Sequence, residues 1–78
     1  MKVYAILDQN YYDHGVGLTI HSTREGADTM LQALMFAPHD GEWHRDILED
    51  DPDYYDILGS WELEGSSRFI ELRLLEGT

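Results

Sequence analysis

Ten of the sixteen acidic side chains fall between Asp40 and Glu64, and only Arg45 opposes them there. That window holds nine of the eleven net negative charges. Carboxylates beside a histidine can carry protons in acid–base catalysis. With histidine they can also hold a metal ion. Left unneutralised, they create a negative field that steers basic proteins toward it. The spacing points to the last of these. Glu42, Asp46, Glu49 and Asp50 fall at helical neighbour positions, with Asp53 just beyond, so one helix edge would carry the stripe. Like charges so placed cost about 0.2–0.5 kcal/mol per pair and about 1–2 kcal/mol together. A small domain has only about 5–15 kcal/mol of stability, so folding alone does not ask for such a stripe. B-DNA carries one charge per roughly 1.7 Å of axis, and a carboxylate edge approximates a short stretch of that field. The plainer reading is a solvated face that keeps the protein soluble.

Aromatic residues stand beside these acids. Trp43 neighbours the edge, and Tyr54 and Tyr55 lie between Asp53 and Asp56. Tyr and Trp are favoured anchors at protein interfaces. Trp43 reads as core, whereas Tyr54 and Tyr55 fit either the core or an interface. Tyr11 and Tyr12 fall in the first turn and offer a second exposed patch. The four histidines, His14, His21, His39 and His44, match no helical zinc pair. They read as exposed polar residues, with a surface metal site as the weaker alternative. Ser60, Ser66 and Ser67 lack a nucleophile-elbow setting. Gly15-Val16-Gly17 lacks the helix and lysine of a phosphate loop. No cofactor, no metal and no enzymatic activity are expected.

The elements that must position these residues follow from periodicity. Lys2–Leu7 is nearly continuous apolar sequence, a strand buried on both faces. Val16, Leu18 and Ile20 alternate with Gly17, Thr19 and His21, which predicts its hairpin partner. Ser22 and Glu25 fit a capping box that opens a helix from Arg24 to about Phe36. Ala27, Met30, Leu31, Leu34 and Met35 form its apolar stripe, and Pro38 stops it. Asp40 would cap a second helix through about Asp50, with Trp43, Ile47 and Leu48 on its apolar side. Pro52 ends it. Asp51-Pro52-Asp53 would begin a further single turn that Gly59 closes. Trp61 and Leu63, then Ile70, Leu72 and Leu74, alternate with charged residues about a Gly65-Ser66-Ser67 turn. The expected fold is α+β: a four-stranded antiparallel sheet in the order β-β-α-α-β-β, with the helices on one face.

Composition bounds the function. Seventy-eight residues suit one domain with a thin core. With no cysteine, no disulfide or thiolate–metal site can staple it. A net charge of -11 argues against direct nucleic-acid binding and against an anionic membrane. Hydrophobic content of 42% is too high for a disordered acidic tail. The N-terminal apolar run is too short for a secretory signal, and no run approaches a membrane span. A cytoplasmic location is expected.

Lys2-Val3-Tyr4-Ala5-Ile6, the Tyr-rich turn, the helix start Ile20-His21-Ser22-Thr23-Arg24-Glu25-Gly26-Ala27 and the Trp61-Glu62-Leu63 strand resemble small bacterial and phage proteins. Those proteins open with a strand pair and a helix. This resemblance implies a fold and no activity. The short, cysteine-free, acidic chain also resembles, as a class, phage-encoded anti-CRISPR proteins and anti-restriction DNA mimics. That resemblance implies a non-enzymatic inhibitor that binds a basic nucleic-acid-reading complex, with a type I CRISPR surveillance complex as the first partner to test. Glu42, Asp46, Glu49, Asp50, Asp53 and Asp56 are the expected contacts, with Tyr54 and Tyr55 as anchors. The alternatives are a homodimeric interaction module, using a sheet edge or apolar strand faces, and a small hydrolase or nucleotide-binding enzyme.

Overall fold

The computed structural model describes residues 2–10, 16–37, 41–49, 51–54 and 56–76. Its elements are β1 (Lys2–Asn10), β2 (Val16–His21), α1 (Arg24–Phe36), β3 (Trp43–Ile47), β4 (Ile57–Leu63) and β5 (Arg68–Glu76). The strands form one antiparallel sheet in the order β2-β1-β5-β4-β3. The fold is α+β, but the described residues form five strands and one helix, not four strands and two helices. The expected second helix is replaced by β3. Trp43 and Ile47 are four residues apart, a spacing that suits a helical turn and two strand repeats equally. Pairing decides between them. As a strand, Trp43 lies opposite Leu63 and packs against the core. The strand also satisfies the backbone groups along the free edge of β4. Asp40 and Asp50, which were to cap and end that helix, lie outside the described residues, as does Pro38, which was to stop the first.

Register assigns the two faces of the sheet. Ile6 lies opposite Leu72 and Asp8 opposite Ile70, while Trp61 lies opposite Ile70. With strand alternation, Ile6, Ile70 and Leu72 share the face that α1 covers. They form the core with Ala27 and Leu31, and Met30, Leu34, Met35, Trp43 and Trp61 pack around it. The Trp43 indole N–H donates to the Met35 carbonyl at 3.0 Å and ties β3 to the end of the helix.

The helix spans Arg24–Phe36, as its apolar stripe predicts. Its cap lies one residue later than expected. Thr23, not Ser22, is the cap: its backbone is extended and its hydroxyl accepts from the Gly26 amide at 3.0 Å. After β3 the chain turns repeatedly. Asp51 accepts from the Asp53 amide at 3.0 Å, so a turn does begin at Asp51-Pro52-Asp53. Gly59 does not close a turn. It lies buried inside β4 beneath the Trp61 ring, where an added Cβ would collide with that ring.

Candidate functional site

The sheet face opposite α1 divides into two halves. Strand register places Ile20, Ala5, Arg73 and Ile57 in one row across β2, β1, β5 and β4. Leu18, Leu7, Glu71 and Ser60 form the next row. Phe69, Glu62 and His44 continue a third row toward the β3 edge. The β2–β1 half is therefore apolar, and the β4–β3 half is polar and acidic. Arg73 and Glu71 pair at 2.8 Å near the boundary.

The acidic half is built by the β3–β4 pair. Glu42 precedes β3 and Glu64 follows β4, and the Glu64 amide donates to the Glu42 carbonyl at 2.8 Å. Gly41 makes this approach feasible. Its φ is +89°, and a Cβ there would strike the Glu64 carbonyl oxygen. Alternation turns Glu42 and His44 to the same side, with Glu62 directly opposite His44. Asp46 falls where the β3–β4 register shifts, a bulge on an edge strand. It lines a shallow depression with Ser60, Glu62, Ser67 and Phe69. Glu42, Asp46, Glu62 and Glu64 are all exposed.

Positive charge is absent from this patch because every Lys and Arg is engaged elsewhere. Lys2 pairs with Glu76, Arg24 with Asp28 and Glu49, Arg68 with Asp8, and Arg73 with Glu71. Arg45, the lone cation of the acidic window, donates to the Ile47 and Leu58 carbonyls and sits 5.0 Å from the Trp61 ring centroid. Carboxylate hydrogen bonds, from Glu49, Asp8 and Glu71 respectively, raise the pKa of Arg24, Arg68 and Arg73 above its already high value. Among the described residues, the one basic group at the patch is His44, whose Nε2 lies 3.4 Å from Glu64.

The structure divides the contacts expected from sequence. Glu42 and Asp46 lie in the patch. Glu49 lies outside it, hydrogen-bonded to Arg24. Asp53 and Tyr54 are exposed in the turns after β3, and Asp56 is half-buried, near enough to raise the Arg73 pKa further. Asp50 and Tyr55 lie outside the described residues, as do Tyr11, Tyr12, His14 and His39. The acids do not share one helix edge, because that helix is a strand and a run of turns. Glu62 and Glu64 join the patch although they were not among the expected contacts. Their signal was the alternation Trp61-Glu62-Leu63-Glu64, which already placed them on one face.

Ligand atoms of Glu42, His44 and Glu64 lie within 4.8 Å of one another, and all three residues are exposed. Two carboxylates and an imidazole are donors that a divalent ion accepts, yet exposed acidic groups gather without one. Among the described residues no buried side-chain polar atom lacks a partner to point to a ligand. His21 lies apart, with Nε2 3.0 Å from the Thr19 hydroxyl. Among the described residues no helix is long and apolar enough to cross a membrane. No family model, curated protein or solved structure matches the chain, so the character of this face is argued from its own residues.

Proposed function

We propose that the protein is a non-enzymatic inhibitor that engages a basic, nucleic-acid-reading protein through the acidic half of its open sheet face. One observation carries this reading. Glu42, Asp46, Glu62 and Glu64 gather on two adjacent strands while every Lys and Arg of the chain is engaged elsewhere. A field left unneutralised in this way attracts a basic groove and steers it into contact. Asp53 and Tyr54, exposed in the turns beyond β3, are further contacts that this reading offers for test. The partner class follows from the resemblance to anti-CRISPR proteins and DNA mimics: a CRISPR surveillance complex is the first to test.

The test is a competition. A labelled duplex bound to a purified type I surveillance complex is titrated with the protein and followed by fluorescence anisotropy. The protein should displace the duplex at 50 mM salt and at least tenfold less effectively at 200 mM, since the contact is between exposed charges. The triple variant Glu42→Lys, Glu62→Lys, Glu64→Lys should stay folded and lose displacement at least tenfold. Displacement unchanged by the triple reversal would exclude charge mimicry. Absence of displacement by the parent protein would exclude this partner.

A further inference from the structure

The acidic half of the open face is not level, and its relief goes a step beyond a charged surface. Asp46, Ser60, Glu62, Ser67 and Phe69 line a depression of about 230 Å³. Its floor is Ser60, Ser67 and Phe69, all half-buried, and its rim is Asp46 and Glu62, both exposed. Strand register explains the hollow. Ser60 and Glu62 stand on β4, Phe69 lies opposite Glu62 on β5, and Asp46 reaches in from the bulge of β3. The two short serines leave space that longer side chains would fill. We infer that this depression is a socket for an arginine side chain of the basic partner, an assignment that rests on the inhibitor reading above and names the group its face takes.

Polarity selects the occupant. Among the described residues neither Asp46 nor Glu62 meets a Lys or Arg of this chain. Lys2, Arg24, Arg68 and Arg73 are paired elsewhere, and Arg45 donates to the Ile47 and Leu58 carbonyls. The Ser67 hydroxyl gives its one proton to Asn10 Oδ1 at 2.7 Å, so toward the hollow its oxygen can only accept. Two carboxylates and a committed acceptor call for a ligand that only donates. Guanidinium and ammonium are such groups. Phe69 separates them. A guanidinium is planar, more weakly hydrated than an ammonium and packs on aromatic rings, so a half-buried floor beside a phenyl ring suits it better.

The chain already builds this arrangement once around its own arginine. Arg68 donates to the Asp8 carboxylate at 2.9 and 2.7 Å and lies 5.5 Å from the Trp43 ring centroid. The depression has the same parts, carboxylates at the rim and a ring in the floor, and no arginine of this chain lines it. Size agrees. Pockets for drug-sized ligands run to about 300–1,000 Å³. A hollow of about 230 Å³ admits one side chain rather than a nucleotide or a cofactor. Arginine is also among the residues that dominate binding at protein interfaces. Proteins that read nucleic acid present it to phosphates.

The probe is the peptide acetyl-Gly-Arg-Gly-amide, titrated to 50 mM against isotope-labelled protein and followed by amide chemical shifts. Its controls carry lysine, of equal charge, or citrulline, of similar shape and no charge. The arginine peptide should bind saturably, with its largest shifts at Asp46, Ser60, Glu62, Ser67 and Phe69. The lysine peptide should bind at least fivefold more weakly, and the citrulline peptide should cause no shifts there. Ser60→Leu fills the hollow and leaves the charge unchanged; Glu62→Gln keeps the shape and removes a charge. Each should weaken arginine binding at least fivefold, and Glu62→Gln keeps the test decisive where Ser60→Leu misfolds. Glu25→Gln, in the first turn of α1, should leave binding within twofold. Equal binding of the arginine and lysine peptides would overturn the socket and leave only a diffuse charge effect. So would a folded Ser60→Leu that binds like the parent, or equal losses in Glu25→Gln and Glu62→Gln. Peptide binding without duplex displacement would uphold the socket and exclude the surveillance complex as partner. Duplex displacement without peptide binding would refute the socket and leave charge mimicry standing.

Discussion

Asp8 and Arg68 hold together strands that are far apart in sequence. The Asp8 carboxylate accepts from Arg68 Nε at 2.9 Å and from its Nη2 at 2.7 Å. The guanidinium lies 5.5 Å from the Trp43 ring centroid, and Trp43 in turn donates to Met35. Four elements meet through three side chains. Both charged groups are about a quarter exposed, so the pair is worth more than a surface bridge and less than a buried one. Asp8→Ala should destabilise the fold by about 2 kcal/mol, a fall in Tm of roughly 8–16 °C at this chain length. Asp8→Ala with Arg68→Met should cost less than the two single changes added, because the double variant leaves no unpaired charge. Thermal unfolding by circular dichroism measures all three. Strict additivity would mean the pair is not coupled. The pH dependence has a definite sign. Arg68 is raised by the Asp8 hydrogen bonds first of all, so its contribution is complete below the ordinary guanidinium range and lost only above it. It adds no slope to stability between about pH 6 and 9.

At the level of elements, α1 and the terminal hairpin were legible because one period fitted each. Ala27, Leu31 and Leu34 suit only a helix, and alternation over Trp61–Leu63 and Ile70–Leu74 suits only strands. β3 was not legible because Trp43 and Ile47 lie four apart, a helical spacing, whereas in the strand a bulge between Arg45 and Ile47 turns them to opposite faces, and because its partner strand comes ten residues later. The acidic patch inherits that outcome. Glu42 and Asp46 were identified, while Glu62 and Glu64 are brought to them by a pairing that composition does not reveal. The helix cap was displaced by one residue because Ser22 and Thr23 offer the same chemistry, and it is the Thr23 hydroxyl that meets the Gly26 amide. Their substitutions separate the two. Thr23→Ala removes the hydroxyl that accepts from Gly26 and should cost about 1 kcal/mol, roughly 4–8 °C in Tm. Ser22→Ala should stay within about 0.5 kcal/mol of the parent, as exposed substitutions do. Equal losses at both positions would restore the capping box at Ser22.

For the whole molecule, the uneven placement of charge has a thermodynamic consequence. Glu42 and Glu64 are linked through the backbone, and Glu62 stands on the same face, opposite His44 and two residues before Glu64. Like charges on neighbouring strands oppose folding by roughly 0.2–1 kcal/mol per pair. The repulsion is exposed, so salt screens it. Four of the five cations, by contrast, are held in close ion pairs, some of them partly shielded, and lose less on screening. Stability should therefore rise with ionic strength, opposite to the behaviour of a protein held together by surface ion pairs. Between 10 and 500 mM NaCl, Tm should increase by several degrees. Glu62→Gln with Glu64→Gln should raise Tm at 10 mM by about 2–6 °C and flatten the salt response. Such a gain on removing charge, together with the loss of duplex displacement expected of the lysine reversals, would show a surface kept at a cost to the fold that carries it. A Tm indifferent to salt, in the parent and the glutamine variant alike, would mean that the acids repel too weakly to oppose folding. The patch would then impose no measurable burden, and the stability argument for its having a use would fall.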